Sequence, residues 1–260
     1  MIIPSQIYQF KLLTDCFCGG ADNQSGSAEM RIPSIRGQVR AWQREVSGAE
    51  VVNRIWGSTT GAVSASRVGL VCDGPMMPRQ AQPKPCILPH KHQGPRPALS
   101  AGQSFRLKLQ RLIGCTADDW STAQNAMKLW LLLGCLGLRS NRAAGSVWPV
   151  GDWVPQTSEQ LAIVIHRLGF PWPIQLVDTP RGEKAEELRR LASDTVKGHE
   201  NLFGNMKPRI PSPTKFKVIE LAGQPRLLVT AKPPANLMAV RSLLSGPNKA
   251  GQFSWTRLGS

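Results

Sequence analysis

Acidic residues are scarce. The 260-residue sequence carries 17 Asp and Glu against 32 Lys and Arg, a formal charge of +15 and a pI near 10.2. That deficit predicts a polyanionic partner, because each Lys or Arg set on a phosphate releases condensed counterions. A general solubility charge or an anionic membrane surface would give the same composition. Long apolar runs are missing too: the longest, 129–133, falls far short of the ~20 residues a membrane-spanning helix needs. The opening Met1-Ile2-Ile3-Pro4 lacks the basic-then-apolar pattern of a signal peptide, so a cytoplasmic location and no membrane partner are expected. The six cysteines hold one close pair, Cys16-x-Cys18, without a second to match it. Cys86, His90 and His92 make half a metal site in a Pro-rich segment. Reduced thiols, with no metal and no cofactor, are therefore expected. There is no Gly-Lys-Ser/Thr phosphate loop and no G-x-G-x-x-G opening a helix after a strand. The RNP1 segment of ordinary RNA-recognition motifs is also lacking.

Apolar residues make up 41%, enough to bury roughly 70% of the unfolded surface of a domain this size. The length fits one large domain or two small ones. The bases are blocked: seven Lys/Arg and no acid in 74–117, and seven against Glu220 alone in 204–241. Blocks imply basic surfaces rather than a uniform coat.

Residues 7–13 read as a strand running into Gly19-Gly20 and a polar loop. Arg31-Ile32-Pro33-Ser34 follows, with Ser34 placed to cap a helix. From there Ile35, Val39, Trp42 and Val46 fall at helical spacing, and Arg36, Arg40 and Arg44 lie on the opposite side. Residues 64–72 read as a strand. Seven prolines in 74–97 forbid a regular helix or central strand and predict a basic, extended excursion. Residues 103–112 alternate as a half-buried strand. Residues 118–136 form the strongest helix, capped by Thr116 or Asp118. Trp120, Met127, Trp130, Leu131 and Leu138 lie along one broad face, and Gly134 or Gly137 ends it. The loop 137–146 sets Arg139, Ser140, Asn141 and Arg142 between Gly137 and Gly145. Glycines there would let backbone N–H groups approach a phosphate, and the arginines would grip it bidentately. Val147-Trp148 reads as a short strand. The order is βαββαβ, a ferredoxin-like unit.

The second half repeats part of this. Ile55-Trp56-Gly57 recurs as Leu202-Phe203-Gly204, and the Ser-x-Ser-Arg-apolar stretch from Ser64 recurs from Ser212, both at an offset of 147 to 148 residues. Residues 161–170 read as a strand or short helix, 183–196 and 237–244 as helices, and 226–230 as a strand. No closing strand and no Gly-rich loop are evident, so the second unit is expected to be abbreviated.

Three motifs occur in order: Phe17-Cys18-Gly19-Gly20, Arg31-Ile32-Pro33-Ser34-Ile35-Arg36-Gly37-Gln38-Val39-Arg40-Ala41-Trp42, and Ile55-Trp56-Gly57-Ser58-Thr59. With the Gly-rich loop downstream, the sequence resembles the RAMP superfamily of CRISPR-associated RNA-binding proteins. Within it, the sequence is similar to the first Cmr subunit of type III-B effector complexes, over most of 7–218. It departs from that pattern at Cys135 and Ala143, where glycine would be expected, and at Trp56, where phenylalanine is usual. The resemblance implies an α+β fold of two tandem ferredoxin-like (RRM-like) RAMP domains. These would be 1–153, with a Pro-rich basic insertion at 74–102, and a shortened 154–260. It also implies a non-catalytic RNA-binding subunit that caps the guide 3′ end and helps hold guide RNA and complementary target RNA. Neighbouring RAMP subunits would be its protein partners. Arg31, Ser34, Arg36 and Arg40 would face RNA, with Gly37 allowing close packing. Arg139, Ser140, Asn141 and Arg142 would join them, and Lys207, Arg209 and Ser212 would contribute from the second domain. Trp42 and Trp56 are expected in the core. The competing class is a RAMP endoribonuclease using a loop aspartate, Asp15 or Asp22, or one of His90, His92, His166 and His199.

Overall fold

The computed structural model describes residues 3–19, 26–61, 63–74, 78–88, 93–178, 184–195, 199–206, 209–210, 212–244 and 254–258. The first unit comprises β1 (Ser5–Leu12), α1 (Ile32–Trp56), β2 (Val68–Cys72), β3 (Cys86–Leu88), β4 (Gln93–Pro95), β5 (Ser104–Arg111), α2 (Ala117–Leu133) and β6 (Val147–Val150). The helix α3 (Ser158–Arg167) follows. The second unit comprises β7 (Ile174–Asp178), α4 (Ala185–Thr195), α5 (Glu200–Phe203), β8 (Asn205–Met206), β9 (Arg209–Ile210), β10 (Thr214–Leu221), β11 (Gln224–Ala231), α6 (Ala235–Leu244) and β12 (Ser254–Leu258).

The two main sheets share one topology. The first runs β2-β5-β1-β6 and the second β10-β11-β7-β12, all antiparallel. Numbered within each unit, both orders are 2-3-1-4, the ferredoxin-like arrangement. The second unit thus has all four strands. The expectation of a missing closing strand is corrected: β12 pairs along β7 from Ser254↔Asp178 to Leu258↔Ile174. What is abbreviated is a connection. The excursion between β2 and β5, which folds into the small β3–β4 hairpin, is replaced by a two-residue turn at Ala222-Gly223 between β10 and β11. The expected 153/154 boundary falls in the turn between β6 and α3.

The alternation in β1 and β5 turns Tyr8, Phe10, Leu107 and Leu109 inward, where they pack with Ile35, Val39 and Trp42 of α1 and Met127 and Trp130 of α2. Several sequence expectations shift here. Val46 is exposed, because α1 bends at Gly48, whose φ of 76° only glycine adopts readily. The second arm folds back so that Val52, Ile55 and Trp56 complete the core. Ser34 is not the cap: Arg31 holds that position, and Pro33 supplies the preset φ of a first turn. Thr116 caps α2 by accepting from the Asp119 N–H at 3.1 Å. Leu138 lies beyond the helix and is exposed. Residues 161–170 belong mainly to the helix α3, whose Leu161 and Ile165 are buried.

The second sheet is covered on both faces. Val177, Val218, Leu227 and Val229 pack under α4 and α6, while Leu176, Ile219 and Leu228 join the core of α1, α2 and α3. The internal repeat is structural: Gly57 (φ 79°, ψ 159°) and Gly204 (φ 76°, ψ 167°) end their helices in the same backbone conformation. Serines also lead into β2 and β10, though not at equivalent positions of the repeat: the Ser66 hydroxyl donates to the Val68 carbonyl and that of Ser212, the counterpart of Ser64, to the Thr214 carbonyl.

Candidate nucleic-acid interface

The loop 137–146 is welded to both units. The Thr14 hydroxyl donates to the Ala143 carbonyl (2.7 Å) and accepts from the Ser146 N–H (3.0 Å). The Ser146 hydroxyl donates to the same carbonyl (2.9 Å) and accepts from the Val218 N–H of β10 (3.0 Å). The N–H of Phe216 donates to the Asn141 carbonyl at 3.1 Å, and that of Ala143 to the Phe216 carbonyl at 3.2 Å, so 141–143 lies along β10 like an added strand. On the other side, Leu138 donates to the Phe17 carbonyl (2.9 Å) and Gly145 to that of Asp15 (2.9 Å). The loop glycines serve this weld. A Cβ on Gly137 would lie 2.7 Å from the Phe17 carbonyl oxygen, and one on Gly145 would overlap that of Leu136. Several backbone N–H groups expected to cradle phosphate are therefore committed within the protein, and the arginine side chains remain.

The loop backbone is strained at two positions. Arg139 sits at φ 60°, as does Ala143, a left-handed conformation that costs a side-chain-bearing residue roughly 1–2 kcal/mol. Arg139 and Arg142 are both half-buried. Burial, with the Arg139 charge second, lowers the Arg142 guanidinium to about 10, so it stays charged at neutral pH. Among the described residues neither side chain has an acidic partner. Two like charges are thus gathered on one loop, and an anion placed beside them would relieve their repulsion. The segment that accepts from Leu138 continues through Cys18, whose carbonyl takes the Glu29 N–H, to Arg31 at the start of α1. The first turn there has no side-chain cap and no acid. A cation at the positive end of a helix is unfavourable unless an anion joins it. Ser34 is exposed beside it.

The other candidates part from this group. The Arg36 guanidinium donates to the Trp56 carbonyl, and that of Arg40 to Asn53 Oδ1 at 3.3 Å, so both tie the two arms of α1 together. Burial, then the Arg36 and Arg44 charges, lowers the Arg40 guanidinium. Gly37 is exposed, with nothing within 4 Å of where a Cβ would stand, so the close packing expected of it is not seen in the chain alone. The Ser212 hydroxyl is engaged with Thr214. Arg209 lies on β9, paired with Met206, and Lys207 lies outside the described residues.

This tandem architecture has solved counterparts. The structure of Cmr1 from Pyrococcus furiosus, in its apo form, matches 100% of this chain and 99% of its own, with a TM-score of 0.68 and 16% sequence identity. The chain has the Cmr1 fold. A chain of the type III-B Cmr-beta complex, solved by cryo-electron microscopy with cognate target RNA and AMPPnP in the presence of single-stranded DNA, matches 94% of this chain. The match spans 99% of that chain, at a TM-score of 0.55 and 10% identity. No family sequence model and no curated protein matches the sequence.

On this Cmr1-like scaffold the described candidates Asp15, His166 and His199 lie on separate elements. Asp15 Oδ1 accepts the Ala101 N–H at 3.0 Å, which fixes the end of the excursion, and the Asp15 N–H donates to Glu186 Oε1 at 2.7 Å. His166 is exposed in the last turn of α3, and His199 precedes α5. Asp22, His90 and His92 lie outside the described residues. Among the described residues, no three His, Cys, Asp or Glu side chains converge as metal ligands. No described helix is long and apolar enough to cross a membrane.

Several residues that shape the site were not foreseen. Arg189 of α4 pairs with Glu186, lies over the Phe17 ring (5.5 Å) and reaches the Cys86 carbonyl (3.5 Å), which fixes α4 against the β1–α1 loop and the excursion. The fully buried Lys217 donates to the Leu131 carbonyl in the last turn of α2 (2.7 Å) and lies over Trp148. Burial lowers its ammonium to about 7. Asp119 receives Arg67 at 2.6 Å and Arg54 at 3.1 Å. Burial would raise its carboxyl, but the two guanidiniums outweigh burial and lower it. Only the i, i+3 spacing of Glu186 and Arg189 carried a sequence signal.

Proposed function

We propose that this chain is a non-catalytic, RNA-binding RAMP subunit of a type III-B CRISPR effector complex, working in the cytoplasm. It caps the 3′ end of the guide RNA and helps hold the guide and its complementary target beside neighbouring RAMP subunits. The observation that carries this reading is the half-buried pair Arg139 and Arg142, without an acidic partner among the described residues, on a loop fixed by backbone hydrogen bonds to both units. A rigid cationic loop grips phosphates without reading bases, and base pairing supplies the sequence selectivity. Arg31 and Ser34 extend the grip along the helix start, with Lys207 and Arg209 on the second unit. Arg36 and Arg40 act mainly by holding α1 in shape. No catalytic role is assigned; Asp15 Oδ1 accepts the Ala101 N–H and so holds the end of the excursion.

The test is site-specific crosslinking. A guide carrying 4-thiouridine at its 3′ end, in the assembled complex, should crosslink to residues in 137–146 or 31–34 of this chain. Crosslinking confined to other subunits would overturn the placement. Cleavage of guide or target RNA by the isolated chain would overturn the non-catalytic reading.

A further inference from the structure

The second strand of each unit lies at the edge of its sheet, β2 in the first and β10 in the second. By the offset that relates Ser64 to Ser212, Val68 is the counterpart of Phe216 and Leu70 that of Val218. All four side chains are buried in the cores beneath the helices. The hydrogen-bond phase matches as well. The Arg67 carbonyl accepts from Leu112 and the Asp73 N–H donates to the Arg106 carbonyl. Odd-numbered residues of β2 therefore face β5, and Val68 and Leu70 turn their backbone groups outward. In the second unit the Pro213 carbonyl accepts from Lys232, which turns the backbone groups of Phe216 and Val218 outward in the same way.

The two outer edges differ in what they hold. On β10, residues 141–143 run parallel to the strand. The Phe216 N–H donates to the Asn141 carbonyl, the Phe216 carbonyl accepts from Ala143, and the Val218 N–H donates to the Ser146 hydroxyl. On β2, no strand pairs with the outer edge among the described residues. The Val68 carbonyl takes the Ser66 hydroxyl and keeps a second lone pair. This edge is also unguarded. Its sequence, Val-Gly-Leu-Val-Cys, has no charge and no proline. Of the other outer strands, β6 contains Pro149 and β12 contains Arg257. An apolar edge without such devices is a template for another strand.

We propose that the outer edge of β2 receives an extended loop of a neighbouring RAMP subunit, laid parallel to the strand as 141–143 is laid along β10. The Val68 N–H donates to one carbonyl of that loop. The Val68 carbonyl accepts the N–H two residues further on, and Leu70 supplies another N–H. This is strand addition through the main chain. Within the chain, the loop after the second helix of one unit joins the second strand of the next. The same head-to-tail relation, repeated one step back, brings the corresponding loop of another subunit to β2. A polypeptide fits because it offers carbonyls and N–H groups at strand spacing. RNA offers mainly phosphates, and β2 has no cation for them. The partner's identity rests on the reading of the chain as one subunit of an effector complex.

The test follows single backbone amides by hydrogen exchange, in the isolated full chain and in the complex purified from cells that carry it. The Val68 and Leu70 amides should exchange about tenfold slower or more in the complex, while those of Phe216 and Val218, already bonded, are protected in both. In parallel, p-benzoylphenylalanine in place of Val71, which is exposed beside the edge, should crosslink to the loop after the second helix of another RAMP subunit. Unchanged exchange at Val68 and Leu70 in the assembled complex would overturn the proposal. So would crosslinks confined to RNA or to a second copy of this chain. Either result leaves the assembly reading standing, because the chain is then still in its complex. A chain that enters no CRISPR complex would overturn that reading and the proposal together. Val68→Pro removes one outward N–H and no ladder bond, so it should lower recovery of the chain with its complex about tenfold. Val71→Lys, which sets a charge on an exposed position of the edge, decides the matter if V68P fails to fold. Recovery indifferent to the folded variant would count against the proposal.

Discussion

Replacing Arg139 with glycine should move stability and RNA affinity in opposite directions. At φ 60° the arginine carries roughly 1–2 kcal/mol of backbone strain. Glycine removes that strain but adds roughly 0.5–1 kcal/mol of unfolded-state entropy. The net gain is between zero and about 1.5 kcal/mol, which in a chain of this length raises the melting temperature by up to about 3–6 °C. The same substitution deletes one guanidinium from the anion site. For single-stranded RNA each phosphate contact contributes about 0.7 to the slope of log affinity against log salt, so the slope should fall by that amount. Ala143→Gly is the internal control: it has the same φ, no charge, and a buried side chain. It should stabilise the protein and leave RNA binding alone. Differential scanning calorimetry and fluorescence anisotropy read the two effects. A destabilised R139G would refute the strain argument. A stabilised R139G with wild-type RNA affinity would remove Arg139 from the interface.

Other perturbations test the scaffold. Asp119→Asn leaves Arg54 and Arg67 without their buried carboxylate and should cost about 2–3 kcal/mol, toward the low end for a broken buried pair because both arginines reach water; urea unfolding measures it. With its ammonium at about 7 when folded and near 10.4 unfolded, Lys217 binds fewer protons in the native state between those values. Stability should therefore rise from pH 7 to 9 by up to about 1.4 kcal/mol per pH unit, and the rise should vanish in Lys217→Met. An unchanged pH profile in that variant would show that Lys217 is not the group responsible. Gly145→Ala forces a Cβ into the Leu136 carbonyl at φ 62° and should destabilise by about 3 kcal/mol or more, with RNA binding lost alongside. A fully stable G145A would contradict the weld between the loop and the β1–α1 segment.

Local patterns were legible where one sheet face is buried and the other is wet. The strict alternation of β5 and the order of the first unit are examples. The aromatic–glycine repeat at Trp56-Gly57 and Phe203-Gly204 was legible because a left-handed helix end demands glycine. The strand β7 was hidden because both its faces are covered: Ile174, Leu176 and Val177 form an apolar run without period. The strand β12, Ser-Trp-Thr-Arg-Leu, is too mixed to announce itself and is defined by pairing with β7. The bend at Gly48 depends on the second arm of α1 finding the first, through Gln43 Oε1 accepting from Trp56 Nε1 at 2.5 Å. At the site, sequence identified the charged loop but not the use of its glycines, which is fixed by contacts with Phe17 and Leu136. It did not foresee that Trp56 and Asn53 return to meet Arg36 and Arg40, because helical spacing does not reveal the fold-back of α1.

The central claim is that Arg139 and Arg142 together grip an RNA backbone. Its most direct test is the affinity of the full chain for a single-stranded RNA across a salt series, in wild type and in R139A/R142A. The account predicts weaker binding at every salt concentration and a log–log slope smaller by about 1.4, the value for two lost phosphate contacts. An unchanged slope with unchanged affinity would contradict it.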